Sequence, residues 1–269
     1  MSRVVAVFGG GGAKSLAHAG AWKALLEAGL RPCHIIGTSM GAVISAALAA
    51  GSSYERLVEI ALSLERKDFA ALDAWSLAKG VFAGNVLKPG PLKRTIARLV
   101  PATRFADMQI PLTITTTDLD SGELVLFGAL GEDAPLIDAL YASCALPLYL
   151  PPQMIGGRRL GEGGLRAVLG LDAARLVPAD LVVAVDVGPG FDEPPATKQA
   201  AIPPLVRAHG DAIRVMMAAQ TECAIAAWPK DAPRLIVVRA VAEREATFDV
   251  GSGQRFFDAG YRETKRALG

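Results

Sequence analysis

Gly37-Thr38-Ser39-Met40-Gly41 fits G-x-S-x-G and stands between a short apolar strand, His34-Ile35-Ile36, and a small-residue helix that starts near Met40. A strand that turns sharply into a helix leaves a serine hydroxyl exposed at the turn, and the glycines two residues to either side (Gly37 and Gly41) remove side chains that would clash there. The helix N-terminus behind Ser39 offers unpaired N–H groups and the positive end of a dipole to a developing oxyanion. Strand, elbow and helix together point to a serine hydrolase or an acyltransferase.

Gly9-Gly10-Gly11-Gly12-Ala13-Lys14-Ser15 lies between the first strand and the first helix. A run of four glycines lets bare N–H groups converge on an anion, and two chemistries use such a loop: phosphate binding, and an oxyanion hole for acyl transfer. Lys14-Ser15 matches the end of a P-loop, but Phe8 and Ala13 occupy the two positions that should be glycine. Val182-Val183-Ala184-Val185-Asp186 passes for a strand ending in a magnesium-binding aspartate, as many parallel strands do. The dinucleotide fingerprint G-x-G-x-x-G fails at Lys14. Nucleotide binding stays as an alternative to acyl transfer.

A serine needs a base. Of three histidines, His18 and His34 precede Ser39 and read as packing or positioning residues, while His209 sits among Arg207, Gly210 and Asp211 with no motif around it and reads as a surface histidine. An α/β-hydrolase, whose elbow follows several strands and whose histidine follows the acid, is a poor fit. The base is then a carboxylate, and Leu160-Gly161-Glu162-Gly163-Gly164-Leu165-Arg166 offers one among three glycines. Desolvation in such a site disfavours the charged form and makes the glutamate a better base toward a hydroxyl. A solvated loop glutamate is the competing reading.

The elements that must position these residues are short apolar strands alternating with helical patterns, which predicts an α/β fold with a mainly parallel central sheet flanked by helices. Strands are expected at Arg3–Phe8, His34–Ile36, Leu112–Thr117, Leu124–Phe127, Leu181–Val187 and Leu235–Val238, with a hairpin turn at Asp120-Ser121-Gly122. Helices are expected at Ser15–Ala28, from Met40 to about Ala50, at Ile213–Ala227 and at Gln254–Ala267. The 269 residues read as a single domain (1–269) with a helical insertion at about 53–100, a lid candidate whose core, Phe69–Val100, mixes Trp75, Leu77, Phe82, Val86 and Leu87 with Lys79, Lys88, Lys93, Arg94 and Arg98. A helical excursion packed on the core is the alternative. Phe191–Pro204, with four prolines, reads as a surface loop. There are no internal repeats.

A formal net charge of +1 gives no electrostatic case for nucleic acid. Cys33, Cys144 and Cys223 lack metal or redox spacing and read as reduced thiols. The N-terminus breaks into glycines too soon for a secretory signal, so the expected location is cytoplasmic. The uncharged stretch from Ile35 to Gly51 contains the elbow, which would break a spanning helix; a buried strand plus a buried helix is the expectation. With 51% hydrophobic residues the composition suits a large core or a greasy substrate channel, and peripheral contact with a membrane surface is compatible with it.

Three motifs now stand in order, Gly-Gly-Gly-Gly-Ala-Lys, Gly-Thr-Ser-Met-Gly and Glu-Gly-Gly-Leu, with Thr117-Asp118-Leu119-Asp120-Ser121-Gly122 and Ala142-Ser143-Cys144-Ala145-Leu146-Pro147 between the last two. From about Val4 to beyond Asp186 the chain resembles the patatin-like phospholipase family. The resemblance implies a three-layer α/β/α fold and a lipid acyl hydrolase that acts through a serine–carboxylate dyad, with no metal or organic cofactor, on a lipid or other acyl ester. Ser39 would be the nucleophile and Glu162 the base; the N–H groups of Gly10, Gly11 and Gly12, helped by that of Met40, would form the oxyanion hole. Lys14 matches the basic position after the glycines and would orient the loop or meet a phosphate head group. The family's acid is aspartate, in Asp-Gly-Gly or Asp-Gly-Ala, whereas this chain has Glu162. The additional methylene extends the side chain by ~1.5 Å, and a misplacement near that size costs on the order of 10²-fold in rate. The resemblance therefore leaves room for a catalytically weak lipid-binding or regulatory relative.

Overall fold

A computed structural model of the chain describes residues 2–74, 84–194, 204–244 and 249–269. Trp75, Leu77, Lys79 and Phe82 of the lid candidate, and most of the 191–204 loop, lie outside the described residues.

The centre of the fold is a sheet built from strands β1 (Val4–Phe8), β2 (Pro32–Thr38), β3 (Leu112–Asp118), β4 (Leu124–Gly128), β5 (Gln153–Ile155), β6 (Arg158–Gly161), β7 (Leu181–Asp186) and β8 (Arg234–Arg239). Its order is β5-β6-β3-β2-β1-β7-β8, with β4 also paired to β3. The five strands from β3 to β8 in that order run parallel, whereas β4, β5 and β6 join antiparallel. The mainly parallel α/β reading therefore holds, with an antiparallel margin at one side. The cause is legible in β1: Val-Val-Ala-Val-Phe is buried at every position, as a strand covered by helices on both faces must be.

Helix α1 (Ala17–Glu27) follows β1 after a 3-10 turn at Gly12–Leu16, so the first helix begins later than its pattern suggests. The other α-helices among the described residues are α2 (Met40–Ala49), α3 (Tyr54–Leu62), α4 (Arg66–Phe69), α5 (Pro89–Leu99), α6 (Leu136–Cys144), α7 (Gly164–Ala167), α8 (Leu171–Ala174), α9 (Pro204–Ala226) and α10 (Gly253–Leu268). In α2, nine of ten residues are buried; Gly-Ala-Val-Ile-Ser-Ala-Ala-Leu-Ala carries no charge on any side because the sheet, the Gly12–Leu16 turn and helices α1, α5 and α6 surround it. Thus the uncharged stretch after Ile35 is a buried strand and helix. Among the described residues no helix is long and apolar enough to cross a membrane.

Two antiparallel hairpins decorate β3. The first, β3–β4, turns where expected: the Asp118 carboxylate accepts the N–H groups of Asp120 (2.9 Å) and Ser121 (3.4 Å), an Asx turn. The second, β5–β6, turns at Gly156-Gly157 and was not anticipated from the sequence. It matters because β6 ends at Gly161, next to Glu162, and pairs with β3 through Thr117 and Asp118.

Candidate active site

Strand β2 runs to Thr38 and α2 begins at Met40, so Ser39 alone makes the turn. Its backbone has φ 55° and ψ −136°, a region that costs a non-glycine residue of order 1–3 kcal/mol and persists only where neighbours hold it. Three sets of contacts do so. The Ser39 N–H donates to the Ser143 hydroxyl at 2.8 Å. The Thr38 hydroxyl beneath it donates to the Ala167 carbonyl at 2.8 Å and meets the Thr115 hydroxyl at 2.7 Å. At Gly37 and Gly41 a Cβ would run into α2 and into the Phe8–Gly9 backbone respectively, so the flanking glycines permit close packing of the elbow on its surroundings.

The carboxylate reaches this hydroxyl from the other side of β3. Ser39 Oγ donates to Glu162 Oε2 at 2.9 Å, and the Gly164 N–H donates to Oε1 at 3.0 Å. The Glu162 backbone is fixed at both ends: its N–H goes to the Ala145 carbonyl (3.0 Å), and its carbonyl accepts the Thr117 hydroxyl (2.9 Å). Gly163 follows with its N–H on the Ser143 carbonyl at 3.1 Å, pressed so near β3 that a Cβ would overlap the Thr115 carbonyl. The longer glutamate side chain thus meets Ser39 at normal hydrogen-bond length. Glu162 is buried, and burial pushes its carboxyl up to about 7 against the opposing pull of the Gly164 N–H and the Ser39 hydroxyl. A carboxyl with that affinity is matched to proton transfer near neutral pH.

The glycine loop lies over the elbow; a Cβ on Gly10 would come within 3.1 Å of Ser39 Cβ. One correction concerns its donors. The Gly10 N–H is already given to the Val168 carbonyl at 3.1 Å, as that of Gly9 is to Val185 at 3.1 Å, so Gly10 anchors the loop and has no proton to offer an oxyanion. The N–H groups of Gly11, Gly12 and Met40 carry no hydrogen bond among the described residues. Gly11 backs onto the Val187 carbonyl, where a Cβ would collide. His18 braces the loop from behind: its Nε2 is 2.8 Å from the Gly9 carbonyl, and its ring stacks on Phe8 at 4.8 Å. Burial holds its pKa down to about 4, so the ring is neutral and Nε2–H donates, a positioning role as expected from the sequence.

Lys14 is buried. Its ammonium pairs with Glu193 at 2.9 Å, both side chains being 2% exposed, and contacts the Gly188 carbonyl at 3.4 Å. Arg239 joins this cluster through Asp186 (3.1 Å), Asp192 (2.9 Å) and Glu193 (3.6 Å). Of the two roles open to Lys14, orienting the loop fits this placement and meeting a head group does not. The same cluster engages Asp186, so neither Lys14 nor Asp186 is placed as a P-loop enzyme requires. His209 lies by Tyr149, with ring centroids 6.3 Å apart, and His34 Nε2 meets the Thr113 hydroxyl at 2.9 Å; neither contacts the Ser39–Glu162 pair. No cluster of His, Cys, Asp or Glu able to hold a metal occurs among the described residues.

Two site residues were given no role in the sequence reading, Ser143 and Cys144 at the end of α6. Ser143 holds Ser39 through its hydroxyl and Gly163 through its carbonyl. The Cys144 thiol is buried beside Ser39 and Glu162; burial first, then the Glu162 charge, pushes it well above the ordinary range and keeps it protonated. The available signal was the run Ala142-Ser143-Cys144-Ala145-Leu146-Pro147, which stands between the elbow and the Glu162 motif.

The family model for patatin-like phospholipase matches residues 6–175, more than half of the chain, and the chain belongs to that family. It is 32% identical over 198 residues to an uncharacterized NTE family protein, Rv1063c, of Mycobacterium tuberculosis (strain ATCC 25618 / H37Rv), covering 72% of this chain and 52% of that one. It is 32% identical over 191 residues to patatin-like phospholipase domain-containing protein 6 of Homo sapiens, covering 69% of this chain and 13% of that one. The chain thus spans about half the length of the first of these relatives and a small part of the second. Among solved structures, VipD from Legionella pneumophila aligns with a TM-score of 0.48 at 13% identity, covering 99% of this chain and 66% of that one.

Proposed function

We propose that the protein is a serine-dependent lipid acyl hydrolase, an esterase or phospholipase working through Ser39 and Glu162 without a metal or organic cofactor. The observation that carries this reading is the 2.9 Å bond from Ser39 Oγ to a buried Glu162 carboxylate beside N–H groups of Gly11, Gly12 and Met40 that have no other partner among the described residues. Ser39 attacks the ester carbonyl as Glu162 takes its proton. The three N–H groups receive the oxyanion. Glu162 returns the proton to the leaving alcohol, then removes one from the water that releases the acid. Gly164 N–H holds the carboxylate oriented throughout. Family membership supports a lipid or other acyl ester as substrate, and exposed Leu62 and Leu72 in the 53–100 insertion suit a transient approach to a membrane surface. The Ser39–Glu162 hydrogen bond at normal length supports catalysis over a binding protein without turnover. The test is hydrolysis of p-nitrophenyl esters by wild type and Ser39→Ala: turnover in the first and its loss in a folded second are expected. Equal rates in both would overturn the reading.

A further inference from the structure

Three parts of the site hang on one short turn, α7 and the residue after it. The Gly164 N–H holds Glu162 Oε1 at 3.0 Å, the Ala167 carbonyl accepts the Thr38 hydroxyl at 2.8 Å, and the Val168 carbonyl accepts the Gly10 N–H at 3.1 Å. Base, elbow and glycine loop thus take their positions from residues 164–168. A helix as short as α7 is not stable alone, and its ends leave N–H and carbonyl groups without helical partners.

Gln220 of α9 supplies two such partners. Its Oε1 accepts the Val168 N–H at 2.9 Å, and its Nε2 donates to the Leu165 carbonyl at 3.0 Å. Only an amide offers an acceptor and a donor side by side in this way without a charge. On the same face of α9, three residues earlier, the Met217 methyl lies so close that a Cβ on Gly164 would come within 3.1 Å of it. We propose that Gln220 is a positioning residue for ester hydrolysis: its amide clamps α7, and so sets the Gly164 N–H on Glu162 and the Val168 carbonyl beneath Gly10. This rests on the serine-hydrolase reading above, and it draws α9 into the scaffold of the site although Gln220 lies outside residues 6–175, which the family model matches. The clamp has a signature in pH. Burial lifts the Glu162 carboxyl while the Gly164 N–H and the Ser39 hydroxyl draw it down, so a slackened α7 lifts it further. The Cys144 thiol beside Glu162 stays protonated and adds no titration of its own.

The experiment measures kcat and KM for p-nitrophenyl butyrate across the neutral pH range, with thermal melts and fluorophosphonate labelling of Ser39. The variants are Gln220→Met, Gln220→Asn and Ala218→Gly. Gln220→Met keeps the length and unbranched shape of the side chain but loses both bonds. Its kcat should fall ~10-fold or more at little changed KM, and the pH at which kcat/KM is half-maximal should rise. Gln220→Asn keeps an amide one methylene too short to span both groups; it should change in the same direction by less, and it carries the test if Gln220→Met does not fold. Ala218→Gly weakens the buried side of α9 and should lower the melting temperature while keeping the wild-type kcat and pH midpoint. Wild-type kcat and midpoint in a folded Gln220 variant, or the same changes in Ala218→Gly, would overturn the positioning role alone. Absence of turnover in the wild type together with no labelling of Ser39 would overturn the hydrolase reading, and the positioning role with it.

Discussion

Ser39 Oγ and Glu162 Oε2 meet at 2.9 Å although their strands, β2 and β6, flank β3 on opposite sides. Three parts of the chain make that meeting possible: an elbow strained at Ser39, a β5–β6 hairpin that delivers Glu162, and the Ser143–Ala145 segment that bonds to both. The last accepts the Ser39 N–H through the Ser143 hydroxyl, the Gly163 N–H through the Ser143 carbonyl and the Glu162 N–H through the Ala145 carbonyl.

The extra methylene of glutamate is taken up by this arrangement, so shortening it should do harm. In Glu162→Asp the carboxylate withdraws by ~1.5 Å while the backbone stays tied to Ala145 and Thr117. The kcat should fall on the order of 10²-fold. A gain in kcat, read by steady-state ester hydrolysis, would mean that the glutamate handicaps the natural site.

Because burial raises Glu162 to about 7, kcat/KM should climb through pH 7 and level off above it as the base deprotonates. Stability runs the other way. The folded protein holds the Glu162 proton more tightly than the unfolded chain does, so the stabilisation is complete below the unfolded value of 4.5 and is lost as pH rises through about 7. The loss is on the order of 3 kcal/mol. Glu162→Gln should lack that part of the pH dependence in denaturant titrations and melt higher than wild type at pH 8.

Ser143→Ala leaves the buried Ser39 N–H without its acceptor, which costs about 1–3 kcal/mol, and releases the elbow. The expected result is a lowered melting temperature together with a kcat reduced ~10-fold or more at little changed KM. An unaltered kcat in the folded variant would show that the strained turn holds without Ser143.

Lys14→Met tests the placement of Lys14 in the charge cluster. Removing one partner of a buried pair strands Glu193, at about 3 kcal/mol, with Arg239 at 3.6 Å making up some of the loss. Stability should fall, whereas the KM ratio between an anionic and a neutral ester of the same acyl group should stay constant. A change in that ratio would restore Lys14 as a head-group contact.

What the sequence made legible was local. The elbow, the strands on either side of the glycine loop and the β3–β4 turn depend on neighbours within a few residues, and Val-Val-Ala-Val-Phe or Gly-Thr-Ser-Met-Gly announces them. Glu162 stood out because three glycines surround it, although the β5–β6 hairpin that carries it did not: its strands are three and four residues long, too short for a period, and only Gly156-Gly157 marks the turn. The misassignment of Gly10 has a similar source. Which N–H of four glycines is free depends on where the Val168 carbonyl lies, a tertiary fact. Lys14 likewise finds its partner in Glu193, distant in the chain, and Ser143 acquires its role only when α6 packs against the elbow.

The central claim is that Ser39 is a nucleophile activated by Glu162. Its most direct test is the rate at which a fluorophosphonate modifies the wild type, Ser39→Ala and Glu162→Gln at pH 8, with peptide mass spectrometry to locate the adduct. The adduct is expected on the peptide containing Ser39, absent in Ser39→Ala, and formed at least ~10²-fold more slowly in Glu162→Gln. An adduct elsewhere, or equal rates in wild type and Glu162→Gln, would contradict it.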